Sequence, residues 1–383
     1  MDSTDNTILS SEQILKESIE KTENIKGSVE LGEFHDLSQI DWQWPIEKKI
    51  EAVIHELKTV GFFLVTNVQG YDEQGLIHWG KWFCEQPEEF KRKYYKKFWN
   101  SENPNIYRGL APFIDNDPSH VEIFDMGMEY EDVTEEEKEF SLHEQTPWPD
   151  YSDDAKAFSA YMKEHYKLRV RVASELVSVI AQGLGKSADF FDQWYSHDTI
   201  STFSVNHYIP RSRSTVKNDL VTGAQYKITI AQHTDSGFVT LLSTLGYPGL
   251  QVLVDDEFKS VRPVPGAFVI NIGDMLSRIT NYILKSTLHR VIDIGRDRYS
   301  SPFFFEPHYA AKIPSSIMDL ESLKIIERED NQARVANDDE KKYESMLYGD
   351  YLIDKITGYC LSYQGLFKGK RSEQAARIQQ DQQ

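Results

Sequence analysis

Apolar residues at Ile46, Ile50, Val53, Ile54 and Leu57 recur at three- and four-residue steps, which predicts an amphipathic helix over 46–59. The run Gly61-Phe62-Phe63-Leu64-Val65-Thr66-Asn67 follows directly and reads as a short buried strand. Residues 74–97 read as a second helix ending in the basic run Lys91-Arg92-Lys93-Tyr94-Tyr95-Lys96-Lys97, expected as a solvated face. The longest helical pattern covers 155–184, with apolar positions that include Phe158, Tyr166, Val172, Leu176 and Ile180. Gly183 and Gly185 are its stop signals.

From Thr202 the texture changes to short β-rich runs at 203–209, 227–231, 238–245, 250–254, 267–271, 288–294 and 299–306, punctuated by Gly, Pro, Asp and Asn. Many short strands in one block predict a sandwich or double-sheet barrel. The expected organisation is a lead-in over 1–28, an N-terminal helical and mixed region over 29–200, and a β core over 201–310. Helical closing elements over 311–370 and a Gln-rich tail over 371–383 complete it. The three middle parts are expected to form one catalytic unit.

Composition narrows the function classes. The 383 residues carry 42 Lys and Arg against 61 Asp and Glu, a formal net charge of −19. That balance argues against nucleic acid or an anionic membrane surface as partner, since both attract basic patches. No apolar run approaches the roughly 20 residues of a membrane span. The acidic start Met1-Asp2-Ser3-Thr4-Asp5 lacks an apolar stretch, so no secretory signal is expected. Two cysteines, Cys84 and Cys360, make no disulfide framework, and a cytoplasmic setting is expected. Eight carboxylates and one lysine between Glu129 and Glu144 read as a solvated segment. No obligate protein partner is evident.

The chemistry concentrates in Gln232-His233-Thr234-Asp235-Ser236-Gly237. On a strand, residues two apart point to one side, so the His233 imidazole and the Asp235 carboxylate converge. Together they are two ligands of a facial two-histidine, one-carboxylate site for non-haem Fe(II). A His-x-Asp alone is common by chance. The third candidate, His289, comes 54 residues after Asp235, a separation over which a barrel brings a distant strand back beside the first. Nine residues later stands Arg298-Tyr299-Ser300, where a guanidinium fork and a hydroxyl share one strand face and suit a carboxylate.

Taken in this order, His233-x-Asp235, His289 and Arg298-x-Ser300 resemble the iron and co-substrate motifs of the Fe(II)/2-oxoglutarate-dependent dioxygenases, in the isopenicillin N synthase-like branch. Asn206-His207-Tyr208-Ile209-Pro210 resembles that branch's Asn-x-Tyr-x-Pro strand. Asn271-Ile272-Gly273-Asp274 resembles the approach to its second histidine, although Asp274 itself reads as a turn former. Gly61-Phe62-Phe63 and Tyr107-Arg108-Gly109 resemble its N-terminal landmarks, and the likeness spans about residues 30 to 365.

The resemblance implies mixed α and β structure: a double-stranded β-helix, or jelly-roll, core with an N-terminal helical region and C-terminal helices. It implies Fe2+ on His233, Asp235 and His289, and the co-substrates 2-oxoglutarate and O2. Arg298 and Ser300 would hold the distal carboxylate of 2-oxoglutarate, with Tyr208 either a further donor or a packing tyrosine. The implied reaction is C–H oxidation of a small-molecule substrate by hydroxylation, desaturation or cyclisation, with succinate and CO2 released. Two alternatives stay open: an isopenicillin N synthase-type oxidase that uses no 2-oxoglutarate, and a non-catalytic jelly-roll binding module.

The same resemblance draws substrate contacts from the N-terminal region and the C-terminal helix. Candidates are Tyr107, Arg108, Phe124, Asp125 and Phe305, with Leu352 and Ile356 closing the mouth. The connection from Pro210 to Gln232 is longer than in plant members of the family. Its cations Arg211, Arg213, Lys217 and Lys227 either meet a carboxylate-bearing substrate or form an exposed charged loop.

Overall fold

The computed structural model describes residues 31–114, 117, 119–129, 140–195, 199–210, 217–218, 225–226, 228–318, 346–359, 363 and 366–367, with Gln13, Ile14 and Lys16. The rest of the predicted lead-in, residues 130–139 of the acidic run, Arg211, Arg213, Lys227, Cys360 and the tail lie outside the described residues.

Helix α1 (Ile46–Thr59) matches its predicted bounds and buries Val53 and Leu57. The helix expected over 74–97 is interrupted. It divides into α2 (Glu73–Cys84), α3 (Glu88–Lys91) and a 3-10 turn at Arg92–Tyr94. Pro87, just before α3, has no N–H to continue the α2 ladder and steers Gln86 away from helical geometry. The solvated reading of the basic run holds for Arg92, Lys93 and Lys97, which are exposed, and fails for Lys91 and Lys96. Lys91 turns onto Glu122 at 2.7 Å and the buried Lys96 onto Asp125 at 2.5 Å. Helix α4 (Asp153–Gly183) starts at Ser152, whose hydroxyl accepts from the Ala155 N–H at 3.1 Å, a standard cap.

The strands are β1 (Phe34–His35), β2 (Gln39–Asp41), β3 (Phe62–Thr66), β4 (Gly109–Ala111), β5 (Val121–Met126), β6 (Thr202–Tyr208), β7 (Lys217–Asn218), β8 (Gln225–Tyr226), β9 (Ile228–His233) and β10 (Val239–Ser243). After them come β11 (Leu250–Val254), β12 (Glu257–Val261), β13 (Phe268–Ile272), β14 (His289–Ile292) and β15 (Arg298–Phe305). Helix α5 (Asp274–Ile279) lies between β13 and β14, and α6 (Tyr348–Tyr359) follows β15. Asp274 therefore opens a helix rather than a simple turn.

One sheet runs β2-β3-β13-β10-β15-β6-β5-β4 and the other β1-β12-β11-β14-β9, while β7 and β8 pair separately. Within the two large sheets the pairings are antiparallel except β1 with β12 and β2 with β3. Phe62, Leu64 and Val269 from the larger sheet meet Leu250, Val252 and Val261 from the smaller one in a common apolar cluster. Val121, Ile123 and Tyr208 meet Ile230 and Val291 in a second cluster. This is the expected jelly roll. Its larger sheet takes β3, expected as a strand, and also β2, β4 and β5 from the region read as helical and mixed.

The outer face of the larger sheet packs against the helices. Arg169 on α4 donates to the Leu241 carbonyl at 2.9 Å and to Ser243 Oγ at 2.7 Å, tying helix to sheet.

Candidate active site

Strand pairing brings two distant histidines together. His233, at the end of β9, and His289, at the start of β14, are Cα partners, and their ring centres lie 4.2 Å apart. His233 Nδ1 bonds the Ala231 carbonyl at 2.8 Å, and His289 Nδ1 bonds the Thr287 carbonyl at 3.1 Å. A carbonyl only accepts, so each Nδ1 carries the proton and, in a neutral ring, each Nε2 keeps its lone pair. Burial is the main influence on His289 and pulls its proton affinity below the ordinary histidine range, which favours that neutral ring.

The two Nε2 atoms face one carboxylate oxygen. Asp235 Oδ1 lies 3.8 Å from His233 Nε2 and 3.6 Å from His289 Nε2. The other oxygen, Oδ2, accepts from Thr240 Oγ1 at 2.6 Å and from Asn271 Nδ2 at 2.7 Å. Burial pushes the Asp235 carboxyl upward. His289, His233 and these two hydrogen bonds outweigh it and hold the group below the usual carboxylate range. With both rings neutral, three electron-pair donors converge, an arrangement that a cation resolves. The donor types, two imidazoles and one carboxylate, fit ferrous iron.

The loop after Asp235 is fixed by close backbone contact. Asp274 N–H donates to the Asp235 carbonyl at 2.7 Å and Gly273 N–H to the Phe238 carbonyl at 2.9 Å. A Cβ on Gly273 would lie 2.7 Å from the Gly237 backbone nitrogen, so only glycine permits this approach. Tyr351 on α6 closes the other side, its hydroxyl donating to the Ser236 carbonyl at 2.8 Å.

Arg298 opens β15 and is buried at 2% exposure. Its Nε donates to the Pro248 carbonyl at 2.9 Å and its Nη1 to Ser300 Oγ at 3.3 Å. Its guanidinium carbon lies 4.6 Å from the centre of the Tyr208 ring, and Tyr208 is its Cα partner across β6. Burial lowers its proton affinity, and Tyr208 and Tyr247 oppose that effect. Among the described residues Arg298 forms no ion pair. An unpaired buried charge costs several kcal/mol, so the chemistry of the pocket suits an anion.

Strand parity sorts the remaining candidates. Tyr208 and Asn206 of β6 face inward, and on β15 Arg298, Ser300, Pro302 and Phe304 share the inward face. Phe304 is half-exposed there, whereas Phe305 points outward and stacks on Tyr195 at 4.2 Å. On β5, Ile123 and Asp125 face inward. Phe124 is fully buried on the helical side, stacked on Phe83 at 4.3 Å. Phe124 and Phe305 are thus corrected from pocket lining to outer core, because a one-residue step reverses the face.

Arg108 is corrected too. Its guanidinium is buried and donates to the Met126, Ile200 and Ser201 carbonyls at 3.0–3.3 Å and to Thr202 Oγ1 at 2.6 Å. That arginine ties the strands together. Tyr107 bonds Thr202 at 3.0 Å, and Asp125 accepts from Lys96 and Ser204. Lys96 also reaches the Tyr363 hydroxyl at 2.8 Å. Leu352 and Ile356 are buried in the apolar core with Tyr348, Tyr351 and Ile353 of α6. Lys217 lies on β7, while Arg211, Arg213 and Lys227 lie outside the described residues.

Sequence reasoning missed Thr240, Asn271, Lys96 and Phe304. Counting by two from Arg298 reaches Phe304, so that signal was present. Thr240 and Lys96 gave none, because the turn after Asp235 is what brings Thr240 back onto it and Lys96 meets Asp125 on a separate strand.

Residues 200–307 match the family model of the 2OG-Fe(II) oxygenase superfamily. A 2-oxoglutarate-Fe(II) type oxidoreductase of Aspergillus fumigatus is 35% identical over 170 residues, 43% of this chain and 48% of that protein. The chain spans about half the length of such curated relatives. Kihadalactone A synthase LFS of Citrus sinensis is 29% identical over 339 residues, 84% of this chain and 92% of that protein. The solved structure of Neurospora crassa T7H in complex with alpha-KG and thymine superposes with a TM-score of 0.63 at 23% identity, covering 84% of this chain and 96% of that one.

Proposed function

Residues 200–307 belong to the 2OG-Fe(II) oxygenase superfamily, and from that membership we propose that the chain is an Fe(II)- and 2-oxoglutarate-dependent oxygenase acting on a small molecule. The overall reaction couples R–H, 2-oxoglutarate and O2 to R–OH, succinate and CO2; desaturation and ring closure are the variants with water as the further product. The observation that carries the reading is the convergence of a histidine–carboxylate–histidine set and an unpaired buried guanidinium inside one barrel.

In this reading His233, Asp235 and His289 hold the iron, which when bound activates O2 together with the co-substrate. Thr240 and Asn271 keep Asp235 Oδ2 occupied so that Oδ1 faces the metal. Arg298 and Ser300 receive the distal carboxylate of 2-oxoglutarate, and Tyr208 flanks it. The substrate chamber is the inward face that solvent still reaches: Ile123, Asp125, Ile230, Leu242 and Phe304. Its lining is mostly apolar, with Asp125 as the polar group, oriented by Lys96 and Ser204. Such a chamber suits a compact apolar body carrying a hydrogen-bond donor. Residues 29–310 act as one unit, since strands from both parts of that range build its walls.

The test is reconstitution with Fe(II) followed by measurement of succinate and CO2 in the presence of O2 and 2-oxoglutarate, with and without panels of small apolar metabolites. Turnover of 2-oxoglutarate that rises with a substrate supports the reading. One bound iron with no succinate under any condition overturns it.

A further inference from the structure

On the outer face of the same strands, Cys84, Glu122 and His207 bring a thiol, a carboxylate and an imidazole within 4.8 Å of one another. These are metal-ligating groups, but the site already holds cations. Lys91 Nζ lies 2.7 Å from Glu122 Oε2 and also donates to the Cys84 carbonyl at 3.3 Å. Both nitrogens of His207 are engaged as well, Nδ1 with Glu122 Oε1 at 2.9 Å and Nε2 with Asp297 Oδ1 at 2.8 Å. A neutral imidazole has one N–H and one lone pair. A lone pair held against a carboxylate is repulsive, so between two carboxylates this geometry favours the imidazolium.

The clamp sits behind the co-substrate pocket. His207 lies between Asn206 and Tyr208 on β6, and its Cα partners are Glu122 on β5 and Tyr299 on β15. The Tyr299 ring stacks on it at 4.4 Å with the planes 2° apart. Asp297 immediately precedes Arg298. The imidazolium therefore fastens β5 and the start of β15 to the strand that carries Tyr208.

We infer that His207 is a positioning residue: its imidazolium, held between Glu122 and Asp297, keeps Tyr208 and Arg298 in place and so sets affinity for 2-oxoglutarate. The inference rests on the oxygenase reading. Loss of the proton would set a lone pair against one of the two carboxylates and release either β5 or the start of β15. Burial alone would favour that loss. The bonds to Asp297 and Glu122 outweigh it and hold the proton above the ordinary histidine range.

The other charged and titratable groups facing this clamp are Lys91 beside Glu122, Cys84 and Glu85 at the end of α2, Arg296 beside Asp297, and Lys81 and Tyr247 against the Tyr299 ring. Burial pushes both the Cys84 thiol and the Tyr299 phenol upward.

The experiment is calorimetric titration of 2-oxoglutarate into the Mn2+-loaded protein without oxygen, from about pH 6 to about pH 9. Wild-type affinity is expected to fall about tenfold on the alkaline side, the loss of roughly one charge-assisted hydrogen bond. His207→Gln is expected to bind weakly at every pH and to lose that alkaline limb, with folding checked by circular dichroism. Asp297→Asn, at an exposed position just before β15, keeps the core intact if His207→Gln does not fold. It should raise the KM for 2-oxoglutarate more than it lowers kcat. Wild-type binding indifferent to pH on the alkaline side, or variants that bind like wild type, would overturn the inference alone. A wild type that binds no 2-oxoglutarate at any pH would overturn the oxygenase reading instead.

Discussion

His233 and His289 are opposed residues on neighbouring strands, their rings tilted 53° to each other, so a ladder rather than a loop holds the two imidazoles. Asp235 follows two residues after the first of them and has one oxygen tied to Thr240 and Asn271. The three donors are thus set before any ion arrives, and the fold bears the cost of bringing them together.

Anaerobic titration with Fe(II) should accordingly reach one ion per chain. His233→Ala, Asp235→Ala and His289→Ala should each abolish binding. Thr240→Val and Asn271→Leu should keep the stoichiometry and weaken affinity by about 10–100-fold, the usual effect of losing a partner of a metal ligand. If the last two bind as wild type does, fixing the carboxylate through Thr240 and Asn271 contributes nothing to metal affinity.

Arg298 sets up an opposition between stability and binding. Replacing it by Met removes an unpaired buried charge, worth about 1–4 kcal/mol of relief, but leaves the Pro248 carbonyl unsatisfied at about 1–3 kcal/mol. The two nearly cancel, so Arg298→Met should unfold within about 1 kcal/mol of wild type. Added 2-oxoglutarate should raise the Tm of metal-loaded wild type and leave that of the variant unmoved. A variant that responds as wild type does would remove Arg298 from the co-substrate site.

Glu144 accepts three backbone N–H groups, from Ile106 at 2.9 Å, Tyr107 at 2.7 Å and Arg108 at 2.9 Å. Glu144→Ala leaves all three to water, and the partial exposure of the site limits the cost to about 2 kcal/mol. Hydrogen exchange should show lost protection at residues 106–108 while the β10–β13 ladder keeps its own. Uniform loss across both regions would indicate a global effect instead.

Glu306 gives a pH dependence of defined sign. Burial raises its carboxyl to about 8 against the counteracting bond from Tyr348, and the charge on Asp235 adds to the rise. A raised carboxyl stabilises the fold fully below about pH 4.5, and that contribution is lost as pH climbs toward 8. Glu306→Gln, which imitates the protonated form, should flatten the alkaline decline of stability by an amount on the order of a few kcal/mol. Parallel urea titrations of both proteins across this range check it.

The residues proposed for metal and co-substrate were legible because each pair obeys a local period: His233 with Asp235, Arg298 with Ser300. Strand β11 and helix α1 were legible in the same way, from clean apolar spacing. Strands β4 and β5 were not. In β5, Val121-Glu122-Ile123-Phe124-Asp125-Met126 has apolar residues on both faces, one against the helices and one in the barrel, so the alternation disappears. Lys96 was unreadable for a different reason. Its run is basic from end to end, and only the break at Pro87 decides which lysines turn inward.

Strand β3 lies between β2, nearby in sequence, and β13, which begins about 200 residues later. At about 5–20 residues per second of synthesis, its second partner arrives some 10–40 s after β3 itself. For that interval the apolar edge Phe62-Phe63-Leu64-Val65 stands half paired, the kind of template on which chains aggregate. The strand that completes the barrel wall therefore also sets the period during which a nascent chain most needs a chaperone.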